Sequence, residues 1–276
     1  MMELGDVQAP LLKQVVDAVR DVVQEANIEF STTSGFSLLA MDSSFLALAA
    51  FLLRPDAFQH FRCDRPLTMA VNLNKMATVL RCAATDDIVK LRSDDEPNLL
   101  TFIFESPTQH IISEFGMSVM VVRHDPFFIS EDIVYNATVK MPSSEFSRII
   151  KGLSSIGDTV FISVTQQGVV KFTTKADFVA NITCTGNNIV ERAEEDTMIE
   201  MNEPVSQAFS LRYLNSFTKA TRLSSTVTIG LSMGMPLMVE YKIAEKGYVR
   251  FYLAPKIEEE EEEEVDVQNE EQNPQD

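Results

Sequence analysis

At 276 residues the chain is long enough for one large domain or for two ordinary ones, each with its own core. Hydrophobic residues make up 45% and charged residues 23%, and the longest apolar run, Phe45 to Leu53, falls far short of the ~20 residues that span a bilayer, so no membrane partner is expected. The net charge of −18 argues against a nucleic-acid partner only if it is spread evenly, and it is not.

Eleven acids with no base stand in Glu258–Glu264, Asp266, Glu270, Glu271 and Asp276, which predicts a solvated acidic tail over residues 259–276. Without those eleven the chain has 30 acids against 23 bases, a net −7. No basic, apolar leader is visible, and Cys63, Cys82 and Cys184 are too few and too scattered for a disulfide framework or a zinc site. A reducing interior compartment is expected.

In chain order, residues 11–26 follow Pro10 and predict an amphipathic helix. Leu12, Val15, Val16, Val19, Val22 and Val23 share one arc, with Lys13 and Arg20 opposite. Strand-like runs Ile28–Ser31 and Phe36–Leu39 follow around Ser34-Gly35. A second helix has the stripe Leu73, Met76, Ala77 and Leu80, with Lys75, Thr78 and Arg81 facing away, and strands Ile88–Arg92 and Leu99–Phe104 succeed it. The acids in the turn between those strands read as a solvated hairpin, not a metal site.

A third unit starts after Pro142, with Phe146, Ile149, Ile150 and Leu153 inward and Arg148 and Lys151 outward, then strands Val160–Val164 and Val169–Thr173. The fourth, Phe209–Ala220, sets Leu211, Tyr213, Leu214 and Phe217 against Arg212 and Lys219. Strands Thr226–Leu231 and Leu237–Tyr241 close the series.

Helix–strand–turn–strand thus recurs four times and divides into two halves of two. The stretches 73–83, 146–156 and 209–220 hold six cations and no acid, although about four acids would be expected there from the rest of the chain. That avoidance predicts a shared anionic partner for these faces. Ser118–Tyr135 lacks clean periodicity and reads as a connector, which carries the unusual apolar trio Phe127, Phe128 and Ile129. No phosphate loop, nucleophile elbow or metal-binding His/Cys spacing is present, so no catalytic residue, cofactor or metal is expected.

Seven strings together carry a resemblance: Leu39-Ala40-Met41-Asp42-Ser43-Ser44, Arg62-Cys63-Asp64-Arg65, Ile156-Gly157-Asp158, Leu211-Arg212-Tyr213-Leu214-Asn215, Phe217-Thr218-Lys219-Ala220, Leu223-Ser224-Ser225-Thr226-Val227 and Leu253-Ala254-Pro255-Lys256-Ile257. In that order, from Met1 to about Glu258, they resemble the proliferating cell nuclear antigen family of eukaryotic DNA sliding clamps.

The resemblance implies an α+β clamp fold of two similar domains, 1–117 and 136–258, each with two helices on an antiparallel sheet and joined by connector 118–135. It implies a nuclear, non-enzymatic homotrimer that encircles double-stranded DNA whatever its sequence. The lining would be Lys13, Arg20, Lys75, Arg81, Arg148, Lys151, Arg212 and Lys219. Positions where clamps often carry a base read Gln14, Thr78 and Ser118 here.

A groove of Met41, Phe45, Leu46, Leu48, Phe127, Ile129, Pro236, Tyr252, Leu253, Ala254 and Pro255 would take Gln-x-x-Leu-x-x-Phe-Phe plug peptides. Those peptides would come from DNA polymerase, clamp loader, flap endonuclease and DNA ligase. The trimer interface would use Ile111 and Phe115 of one chain with Phe178 and Ile182 of the next. Phe45 stands where the family generally has histidine, Phe128-Ile129-Ser130 where the linker usually reads Gly-Ile-Pro, and Gln166 where many clamps have a modifiable lysine. A subunit of a heteromeric or checkpoint-type ring, or a divergent paralogue, is the alternative.

Overall fold

The computed structural model describes residues 1–93, 98–120, 133–186 and 196–257. Its N-terminal half runs β1 (Met2–Gln8), α1 (Ala9–Val19), β2 (Glu25–Ser31), β3 (Gly35–Met41), β4 (Ala47–Leu53), β5 (His60–Cys63), β6 (Leu67–Asn72), α2 (Leu73–Leu80), β7 (Ile88–Ser93), β8 (Leu99–Glu105) and β9 (Ile112–Ser118). The other half repeats this order as β10 (Ala137–Pro142), α3 (Ser143–Ser154), β11 (Thr159–Thr165), β12 (Val169–Lys175), β13 (Val179–Thr185), β14 (Met198–Met201), β15 (Val205–Ser210), α4 (Leu211–Phe217), β16 (Thr226–Leu231), β17 (Leu237–Ile243) and β18 (Gly247–Leu253). A 3-10 turn, Thr218–Leu223, prolongs α4.

Local chemistry sets these elements. Strict alternation of buried and open positions along β2 and β11 is the period of a pleated strand with one face on a core. Asn72 caps α2 by accepting from the Lys75 amide at 3.0 Å, satisfying one of the helix's orphan donors. Gly35 makes the β2–β3 turn at φ 97°, where an added Cβ would stand 2.2 Å from the Leu53 carbonyl oxygen, so no other residue fits.

The pairing repeats as well as the order. In the first half β1 lies between β5 and β7, which leads on to β8 and β9, while β2 lies between β6 and β3, which leads on to β4. The strand nine places later makes the same pairing in the second half. Each helix is followed by an antiparallel meander of three strands, one more than the sequence pattern predicts. β18 then pairs with β4, from Gly247 opposite Leu53 to Leu253 opposite Ala47, and fuses the halves into one nine-stranded sheet.

The helices pack together: α1 on α2, α3 on α4, and α1 across the junction on the Thr218–Leu223 turn. Beneath them Phe217 stacks on Phe251 with centroids 4.4 Å apart, both rings fully buried. Each such side chain contributes roughly 1.5–3 kcal/mol through burial.

Two helix boundaries differ from expectation. The first helix stops at Val19, not near residue 26, because Glu25 already pairs with Asn72 in the sheet. The helix expected to reach Ala220 tightens to 3-10 after Phe217. β9 extends to Ser118, and the Met120 amide beyond it donates to the Ala70 carbonyl of β6 in the nine-stranded sheet at 2.8 Å, so the start of the expected connector is held by backbone pairing. Most of the connector, with Phe127, Phe128 and Ile129, lies outside the described residues, as do the acid turn at 94–97 and the acidic tail.

Candidate functional site

The eight cations proposed to face DNA sit on the helices and their ends, but in unequal circumstances. Lys75, Lys151 and Arg212 are exposed and form no ion pair among the described residues. Arg81 is exposed and donates to Thr78 Oγ1 at 3.3 Å within its own helix. Lys13 is half-buried, its ammonium donating to the Ala83 carbonyl at the end of the α2 segment, so it ties α1 to α2 in place of facing solvent freely.

Three cations meet acids. Arg20 pairs with Asp17 at 2.7 Å, Arg148 with Glu145, and Lys219 with Asp21 across the junction of the halves. The acid-free helix face expected from the sequence is therefore corrected. α3 begins at Ser143 and includes Glu145, which lies one turn before Arg148 and takes both its Nε and Nη2. Those hydrogen bonds hold the Glu145 carboxyl below its usual range.

The second cluster crosses the domain junction. Met41 opposes Leu48, Leu48 opposes Tyr252, Tyr252 opposes Met238 and Met238 opposes Gly230, one row over five strands. Cross-strand neighbours at ~5 Å make such a row a continuous apolar strip. The loop from Asp42 rises beside it, with Phe45 72% and Leu46 49% exposed. The Ala254 amide donates to the Leu46 carbonyl at 2.9 Å, drawing the C-terminal segment against this loop.

Pro236 is exposed, and Ala254, Pro255, Met41 and Tyr252 are half-buried. Leu48 is nearly buried and Leu253 belongs to the core, so both support the strip from within. Arg250 holds Tyr252 in place, donating to its hydroxyl at 3.3 Å and to buried Glu240 at 2.9 Å.

Asp42 organises the loop. Burial alone would raise its carboxyl, but hydrogen bonds from the Ala47 amide, the Tyr213 hydroxyl and the Ser44 and Leu46 amides hold it below the usual carboxylate range. Sequence reading missed two members of this face: Met238 in the row itself and Tyr135, whose ring lies against Gly230 at its end. The alternation Leu237-Met238-Val239 was the signal for Met238, since its neighbours point inward.

The third cluster is a pair of open strand edges. β9 ends the five-stranded sheet and β13 ends the four-stranded one. Ile111 (52%), Ile112 (70%), Phe178 (61%) and Val179 (57%) are exposed along them. Phe115 is half-buried with its ring 5.3 Å from Phe104, and Ile182 packs in part against the core. Open apolar edges on this scale are sites for another strand to join.

A duplicated helix-and-meander unit, fused edge to edge through β18 and β4 and presenting the corresponding strands β9 and β13 at sheet edges, is the architecture of a DNA sliding clamp subunit. Residues 1–127 match the family model "Proliferating cell nuclear antigen, N-terminal domain" and residues 129–256 match its C-terminal domain. The chain belongs to the proliferating cell nuclear antigen family, whose members are non-enzymatic scaffolds of DNA replication and confer processivity.

Proposed function

We propose that the chain assembles as a nuclear homotrimer around double-stranded DNA, slides without reading sequence, and docks replication and repair proteins on its outer groove. The observation that carries this reading is the β18–β4 join. β9 is the counterpart of β18 and β13 the counterpart of β4, so these two edge strands are of the two kinds that already pair within the chain. Repeating that join head to tail closes a ring whose interface is heterologous and pairs both of these edges in every chain. Three chains would give six domains, with the helices facing inward.

Phosphate attraction by Lys75, Lys151 and Arg212, helped by Arg81, would hold the duplex loosely enough to slide. Polymerase, clamp loader, flap endonuclease and ligase would reach the Met41–Tyr252 strip through plug peptides that bury their aromatics there. The domain limits 1–117 and 136–258 belong to the same proposal.

Native mass measurement together with retention on circular DNA tests it. The expected particle holds three chains, stays on closed circular duplex after loading, and runs off once the circle is cut. A persistent monomer at micromolar concentration, or equal retention on circular and linear DNA, would refute the ring.

A further inference from the structure

Asp42 follows β3 and is almost completely buried. Its Oδ1 accepts from the amides of Leu46 and Ala47, each at 2.8 Å, and its Oδ2 from the amide of Ser44 at 3.1 Å. The fourth donor comes from the other half of the chain, where the Tyr213 hydroxyl on α4 donates to Oδ2 at 2.7 Å. Inside this clamp Phe45 has φ 58°, the left-handed region that bulky residues avoid, and its side chain projects into solvent. A side chain so exposed cannot hold its own backbone there, so that backbone is fixed by the groups around it.

We propose that the Tyr213–Asp42 hydrogen bond is a latch that positions the 42–47 loop, making Tyr213 a positioning residue for client docking. The same helix presents Arg212 on its exposed side, so one short element would serve the inner face and the outer groove together. Docking at this loop rests on the groove reading above; the latch itself rests on the geometry of the loop.

Tyr213→Phe keeps the ring and removes only the donor. Amide exchange at Ser44, Leu46 and Ala47 is expected to quicken about tenfold, the factor for roughly 1.4 kcal/mol of lost charge-assisted hydrogen bond. Affinity for a Gln-x-x-Leu-x-x-Phe-Phe peptide is expected to fall about fivefold, with native mass unchanged and Tm lowered by no more than a few degrees.

Adding Phe45→Gly, which makes the left-handed backbone easy, should shrink the exchange effect of Tyr213→Phe. Unchanged exchange at the three amides would overturn the latch. Faster exchange with unchanged peptide affinity would overturn its role in docking, as would a general loss of protection across both halves. If the unmodified protein ignored the peptide, the groove reading would fall, while the exchange result would still decide whether the latch exists.

Discussion

Gly230 and Tyr135 sit so close that the arrangement works only because one partner has no side chain. A Cβ on Gly230 would stand 2.7 Å from Cγ and Cδ2 of the Tyr135 ring, closer than carbon atoms approach. The ring fills that space at the end of the apolar row, and burial pushes its phenol up to about 12. The sign follows: a raised folded-state value favours the neutral phenol, so the contribution is complete below its ordinary value of 10.0 and is lost as pH rises toward 12. Gly230→Val is expected to expel the ring, return the phenol toward its ordinary value and lower plug-peptide affinity several-fold. Tyrosine-selective NMR titration reads the first effect and calorimetry the second; a Tyr135 still titrating near 12 in the variant would show that the row accommodates the methyls.

Strand edges set what each half can bind, and the internal join fixes a register for the external one. Phe115 occupies the place in β9 that Phe251 occupies in β18, and Ala180 the place in β13 that Ala49 occupies in β4. Phe251 opposes Ala49 within the chain, so Phe115 is expected to oppose Ala180 of the next chain, and Ile111 to oppose Cys184. Opposed Cβ atoms lie ~5 Å apart, within reach of a disulfide after small adjustment. Ile111→Cys should therefore crosslink chains through Cys184 on mild oxidation, in a Cys82→Ser background that removes the exposed thiol. Phe115→Ala should leave monomers in sizing experiments. Crosslinking from Ile112→Cys and not from Ile111→Cys would place the register one residue off.

Local periodicity decides which elements were legible in the sequence. β2, β11 and the helix stripes declare themselves that way, and so could be read. β4 could not, because Ala47–Leu53 lies mid-sheet and alternates nothing, and short β5 and β14 give too few positions to form a pattern. Tyr213–Asp42 and Lys219–Asp21 join the two halves, and no local window contains both partners.

At the scale of the whole molecule the question is how a chain of net charge −18 attracts DNA. Its acidity is concentrated in the tail, and the helix layer divides its cations between structural ties and open charges. Lys219 and Arg148 already face carboxylates, so a phosphate would have to compete with Asp21 and Glu145 for them. Lys75, Lys151 and Arg212 have no such competitor among the described residues, and attraction should weigh most heavily on them. Lys151→Ala with Arg212→Ala is expected to flatten the dependence of log affinity on log salt by about 0.9 for each phosphate no longer neutralised. Arg148→Ala should flatten it less. Asp21→Asn acts in the opposite direction: it frees Lys219, and DNA affinity at low salt should rise as long as the halves stay joined through β18 and β4. Titrating the loaded ring on duplex DNA across salt concentrations decides among these. Equal losses for Arg148→Ala and Arg212→Ala would mean that the pairs open freely in the presence of DNA, and that the number of cations, not their pairing, governs the grip.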